Sequence, residues 1–283
     1  MQNTRWRVIG GTVQGSGHEK KGIPCQDAHA WNIVDDDCLV LAVADGAGSA
    51  PLADVGSKLA VNHAVRFLVN SLKSSQTNGS ALATKESWHT IACEMLKSTR
   101  DVITEEAKAR QRDAGELAST LIVVVVAPCV TAAAQVGDGA VVVQSEGAIR
   151  SFTKPPPTQY PNEATFLVSS DAIETAQFVI EHGPSESLAL FSDGLQMLAL
   201  EYPEWNPFIP FFRPVFDFVR EHDDEDMARA ELEATMKSPR IRQRSSDDIT
   251  LVLATRMHPA KQSNFTDIKE TSAETKEASM PGI

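Results

Sequence analysis

No segment of this chain is both long and apolar enough to cross a bilayer. The greasiest stretch, "LIVVVVAPCV", is interrupted by Pro128 and falls well short of the ~20 residues a spanning helix needs. The N-terminal "MQNTRWRVIGG" has no apolar core of the kind a secretion signal carries, so a cytoplasmic protein is expected. Cysteine is scarce: Cys25, Cys38, Cys93 and Cys129 include no C-x-x-C pair, which argues against a disulfide framework or a zinc knuckle. Positive charge is short as well. The 26 Lys and Arg face 38 Asp and Glu, a net charge of -12, and no cluster of Lys and Arg stands out of the kind nucleic acid or an anionic membrane attracts. Neither is expected as the main partner, whereas an acidic surplus suits cation binding.

What the chain does have is size and patterning. Its 283 residues, 42% hydrophobic, can bury a sizeable core. Short β-type runs dominate: Trp6 to Val13, Ala28 to Val34, Leu39 to Ala44, Leu121 to Ala127, Val130 to Val136, Ala140 to Gln144, Leu188 to Phe191 and Ile249 to Ala254. The stretch "VVVVAPCVTAAAQVGDGAVVVQSEGAIRSF" reads as an antiparallel meander. Helical spacing of apolar residues predicts helices around Ala53 to Leu72, Lys85 to Arg112 and Asp224 to Met236, the last opening on acids that suit a helix N-terminus. Strands are grouped apart from helices rather than alternating with them, so an α+β sandwich is favoured over a doubly wound parallel sheet. "KSSQTNGSALATK" reads as a flexible loop, and the polar tail over residues 259–283 as disordered, which leaves residues 1–258 as the folded domain.

Aspartate recurs at the mouths of these strands. "LAVADGAGSA" ends a strand with Asp45, "AQVGDGAVVV" holds Asp138, "LALFSDGL" holds Asp193, "SSDDITLVL" leads into a strand through Asp247 and Asp248, and "GIPCQDAHAW" opens one with Asp27. A lone Asp-Gly is a plain turn. Four or five carboxylates at strand ends that converge in space repel one another unless cations sit between them. No His or Cys accompanies these acids in the pattern softer metals prefer, so hard, oxygen-preferring Mg2+ or Mn2+ is the natural occupant. The small residues after Asp45 leave room for a close approach.

The order and wording of "GIPCQDAHA", "LAVADGAGSAPLADVGSKLA", "LASTLIVVVV", "AQVGDGAVVV", "LALFSDGL" and "SSDDITLVLA" resemble the metal-dependent protein Ser/Thr phosphatases of type 2C, over most of residues 8–255. "GSGHEKKGIPCQDA" looks like a bacterial branch of that family. The resemblance implies a four-layer αββα sandwich of two antiparallel sheets flanked by helices. It implies two Mn2+ or Mg2+ ions and a third, weaker position. Asp45 would bridge two ions with help from the Gly46 carbonyl, Asp193 and Asp247 would hold the second, and Asp138 would sit at the third. Asp27 would act from behind through metal-bound water, and Ser119 and Thr120 match a structural pair. The implied reaction is in-line attack on phosphorus by water activated between the ions, with no phosphoenzyme. The implied partners are a phosphorylated protein and an opposing Ser/Thr kinase, with the enzyme acting as a monomer.

Departures from the family pattern set further expectations. Gly22 stands five residues before Asp27, where many members carry a phosphate-clamping arginine, and His18, Lys20 and Lys21 are the available substitutes. "DGAGSA" replaces the family's usual "DGHGG", which puts Ala47 in place of a histidine often proposed as general acid and makes His18 the alternative. Gln26 and Asp248 stand where Glu and Asn are common. Two other functions compete: a phosphoprotein-binding module that has lost turnover, favoured by Gly22 and Ala47, and a phosphoesterase for a small molecule. "GGTVQGSGHEKKG" lacks P-loop spacing and reads as a flexible turn between strands. No cysteine has the C-x5-R spacing of thiol phosphatases, and "EYPEWNPFIPFFRPVF" reads as packing or an interaction surface.

Overall fold

A computed structural model describes residues 5–74, 82, 84–156 and 165–257. Its first sheet is built from β1 (Arg5–Val13), β6 (Ala140–Ser145), β7 (Ala148–Thr153), β9 (Ser187–Phe191) and β12 (Ile249–Met257), in the spatial order β1-β12-β9-β6-β7. The second contains β2 (Ala28–Asp35), β3 (Cys38–Ala44), β4 (Leu121–Ala127), β5 (Val130–Val136) and β8 (Gln177–His182), in that order. Every neighbouring pair is antiparallel. β4 shows why its sequence is a continuous apolar run rather than an alternating one. Leu121, Val123 and Val125 face a helical layer, while Ile122, Val124 and Val126 pack between the two sheets against Leu41, Leu190 and Val252.

Helices α2 (Ala53–Ser74) and α3 (Lys85–Ala109) cover the second sheet. α2 presents small residues, Gly56, Ala60 and Ala64, beside Val61, Val65 and Leu68, a stripe at helical spacing that allows a close approach. α5 (Ile209–Glu221) and α6 (Glu225–Met236) cover the first sheet, so four layers result, in the order helix, sheet, sheet, helix. Asp224 caps α6 by accepting the N–H groups of Asp226 and Met227, each at 3.0 Å. The remaining pieces are short: α1 (Ser16–Lys21), α4 (Gln196–Ala199), α7 (Pro239–Arg242), and a ribbon of β10 (Leu200–Glu201) with β11 (Asn206–Pro207).

One expectation needs correction, and two elements carried no clear sequence signal. "GGTVQGSGHEKKG" is not a flexible turn: β1 runs through Val13, and α1 follows, closed by Gly22 in the left-handed conformation at φ 66°. The second half of the aromatic cluster, residues 209–216, lies in helix α5, hidden in the sequence by Pro210 in its first turn and Pro214 inside it, and Phe212 and Phe216 pack in the core as the packing reading expects. β8 also escaped the pattern reading, because an edge strand with a half-exposed mixture of residues carries little periodic signal. Of the expected loop between α2 and α3, residues 75–81 and 83 lie outside the described residues, while Leu82 is buried and Thr84 caps α3. The tail expected to be disordered, 259–283, also lies outside them, as do residues 157–164.

Phe212 is fully buried between α5 and the first sheet, whereas Phe208, just ahead of the helix, is 41% exposed. Phe212→Ala is expected to cost about 3–5 kcal/mol of folding stability, and Phe208→Ala under about 1 kcal/mol. Urea unfolding of the two variants checks the contrast.

Candidate metal centre

Strand register brings the acids together. Ala28 pairs with Ala44, so Asp27 and Asp45 leave adjacent strands at the same end. Ala140 pairs with Phe191, and Leu251 pairs with Phe191, so Asp138, Asp193 and the Asp247–Asp248 step meet at that end of the other sheet. One carboxylate oxygen each from Asp45, Asp138 and Asp193 lies within 4.8 Å of the others. Asp247 is exposed at the rim, where its charge still raises the pKa values of Asp45, Asp138 and Asp193.

Backbone pairing holds Asp45 at both ends. Its N–H donates to Thr120 Oγ1 (2.9 Å) and its carbonyl accepts from Thr120 N–H (2.7 Å). With the bond from Ala47 N–H to the Ala118 carbonyl, these form a bridge around Gly46 and Ser119 in which Gly46's own carbonyl is not used. Thr120 thus acts on the Asp45 backbone, while Ser119 stands opposite Gly46 in the bridge. Asp27 is buried, and Ser192 Oγ donates to its Oδ2 at 2.7 Å while receiving Thr250 N–H at 3.0 Å. Gln196 fixes the Asp138 turn through the Asp138 carbonyl. Nothing in the sequence marked Ser192 or Gln196, because each acts by a hydrogen bond across strands.

Asp248 acts as a junction. It receives the N–H groups of Gly15 and Gln26, each at 2.6 Å, and His18 Nδ1 at 2.9 Å. One buried carboxylate therefore ties α1, the entry to β2 and the start of β12 together, where an asparagine has only one acceptor oxygen. The backbone there is crowded. A Cβ on Gly15 would lie 2.2 Å from the Asp247 carbonyl carbon, and one on Gly194 only 2.1 Å from the Asp248 carbonyl oxygen. Glycine is required at both for close approach. His18 itself is buried at 8% exposure, its Nδ1 taken by Asp248, while Lys20 and Lys21 stand exposed one turn away.

The electrostatics are those of a site short of positive charge. Burial, then the charges of Asp27 and Asp193, drive Asp45 well above the usual carboxylate range. Burial, followed by Asp138 and Asp247, pushes Asp193 up to about 8, and burial holds Asp27 at about 6. Burial also raises Asp138. Asp27 Oδ1 and Asp193 Oδ1 are buried with no hydrogen-bond partner. Unsatisfied carboxylate oxygens facing other carboxylates, with no cationic side chain among them, fit hard divalent cations.

Fold and rim together define a sandwich built to seat cations at one end. The family model described as Protein phosphatase 2C matches residues 14–237. Serine/threonine-protein phosphatase 3 of Escherichia coli (strain K12) is 31% identical over 255 residues, 88% of this chain and 98% of that protein. This chain belongs to the protein phosphatase 2C family. Among solved structures, the S. agalactiae serine/threonine phosphatase superposes with a TM-score of 0.60 at 12% identity, covering 88% of this chain and 99% of that one. The catalytic domain of the serine threonine protein phosphatase PstP, solved with two manganese ions, gives 0.55 at 13%, covering 89% and 99%. At such identities the likeness concerns the fold.

The raised acids fix how the metal-free protein responds to pH. A carboxyl whose proton is held more tightly in the folded chain stabilises the fold at low pH, and that contribution is lost as pH rises through the folded value. For Asp193 the window runs from its usual 3.8 to about 8. His29 works oppositely below its usual 6.5, since burial and then Arg229 hold it neutral down to about 4. Between pH 6.5 and 8 the acids act unopposed by His29, so the metal-free protein is expected to lose thermal stability there, and saturating Mn2+ to remove the loss. Melting curves in EDTA and in Mn2+ check this; a flat metal-free profile contradicts it.

Proposed function

We propose that this chain hydrolyses phosphoserine and phosphothreonine on proteins, using Mn2+ or Mg2+ held by Asp45, Asp193, Asp247 and Asp138 with the Gly46 carbonyl. The observation that carries the reading is the meeting of Asp45, Asp138 and Asp193, from three separate strand ends, within 4.8 Å. Bound there, two divalent ions supply a water of lowered pKa and neutralise charge on the phosphoryl oxygens. Asp45, raised by burial and then by its acidic neighbours, needs that positive charge, and its backbone is held at both its N–H and its carbonyl. Asp27 keeps one oxygen bonded to Ser192 and presents the other, unpartnered, from behind.

Phosphate capture falls to His18, Lys20 and Lys21 in place of the missing arginine, as point charges without a bidentate fork. His18 is also the candidate proton donor to the departing alkoxide. Asp248 at Nδ1 orients the ring and leaves Nε2 for that task. His18→Asn is expected to lower kcat and to flatten the basic limb of the pH–rate profile. An unchanged profile with full activity assigns the proton to solvent.

We take the enzyme to act as a monomer, and a Ser/Thr kinase is the enzyme that would supply the substrate. Among the described residues no helix is long and apolar enough to cross a membrane, which agrees with a cytoplasmic location.

The deciding assay is hydrolysis of p-nitrophenyl phosphate and a phosphothreonine peptide with Mn2+, Mg2+ or EDTA, for wild type, Asp45→Asn and Asp193→Asn. Loss of a metal's outer partner costs 10–100-fold, so loss of a ligand is expected to cost at least about 100-fold. Activity in EDTA, or full activity in both variants, overturns the reading. Bound metal without turnover transfers it to a binding module.

A further inference from the structure

The expectation that no basic cluster stands out along the chain needs correction: residues 237–244 form one, and the fold sets it beside the acidic rim. Arg242 makes two bonds to Glu19, at 2.7 and 2.8 Å, and Gly17 N–H donates to the Ser246 carbonyl at 2.8 Å, so α1 lies against the connection from α6 to β12. Residues 237–244 carry Lys237, Arg240, Arg242 and Arg244 with no acid among them. Their charge reaches α1: Arg242 and then Lys237 lower the Glu19 pKa. Glu19 neutralises Arg242 and Glu233 lies 3.8 Å from Lys237, while Lys20, Lys21, Arg240 and Arg244 are exposed and, among the described residues, not ion-paired. In a protein of net charge -12 this is a local reversal of sign, and the segment that carries it runs directly into Asp247.

We propose that Arg240 and Arg244, with the α1 lysines, form a docking rim for acidic residues flanking the phosphorylated residue of a protein substrate. The inference rests on the phosphatase reading and adds a substrate class to it. Charge complementarity at a rim acts on encounter and on KM rather than on the chemical step. A free polyanion or an anionic membrane is disfavoured by the protein's overall charge, whereas a short acidic segment spans only the local patch.

The test compares a phosphothreonine peptide flanked by Asp and Glu with the same peptide carrying Gln at those positions, on Mn2+-loaded full-length protein. Wild type is expected to show a KM about tenfold lower for the acidic peptide, an advantage that shrinks as salt shortens the reach of exposed charges. Arg240→Glu/Arg244→Glu is expected to abolish the advantage while p-nitrophenyl phosphate turnover stays unchanged. Equal KM values in wild type, or an advantage that survives in the variant, overturns the proposal. Should the reversed variant unfold, Arg240→Gln/Arg244→Gln and the wild-type salt dependence decide by the same criteria. Failure of the parent reading is told apart by absent p-nitrophenyl phosphate turnover. Fluorescence polarisation of the labelled acidic peptide then still tests the rim, and tighter binding of a DNA oligonucleotide or of anionic vesicles by the same arginines overturns the peptide assignment.

Discussion

Repulsion among carboxylates gathered at one end of two stacked sheets is the constraint around which this protein is organised. Asp27, Asp45, Asp138, Asp193 and Asp247 come from segments up to 220 residues apart in number, yet burial and mutual charge raise the pKa of the first four. Left alone, such a group favours protonation or local opening. A cation leaves those repulsions in place but adds to each carboxylate an attraction that outweighs them, so the same crowding that disfavours the metal-free centre becomes affinity for a divalent ion.

The sandwich tolerates this because its load is distributed. Most of the strands that carry the acids, β3, β5, β9 and the start of β12, are buried on both faces, between the other sheet and a helical layer, while β2 is half-exposed, so most of the acid-bearing ends have little freedom to splay. Around the acids a set of neutral groups acts on backbone and on single oxygens: Thr120 on Asp45, Ser192 on Asp27, Gln196 on the Asp138 turn. None of them adds charge. Asp248, in contrast, spends its two oxygens on three donors and so belongs to the scaffold rather than to the cation, although it is the immediate neighbour of Asp247.

Charge is partitioned on the surface as well. The acids gather at one rim, and basic residues of α1 and α7 collect beside them, an arrangement on which the proposed docking of a phosphorylated segment rests. Gly22, left-handed where the resemblance would place an arginine, closes α1 and so sets where Lys20 and Lys21 stand.

The chain's own pattern determined the strands with continuous or alternating apolar runs, the three long helices, and the identity of the acids, because burial periodicity and Asp-Gly at strand ends are local signals. α5 was obscured by its prolines and β8 by its half-exposed edge position, since both are stabilised by what they pack against rather than by local preference. Only the tertiary structure decided which acids bring oxygens within a few ångströms of one another, that Asp248 is tied up by Gly15, His18 and Gln26, and that Glu19 meets Arg242. Those are facts of strand register and layer packing, and distance between residues far apart in sequence exists only once the chain has closed on itself.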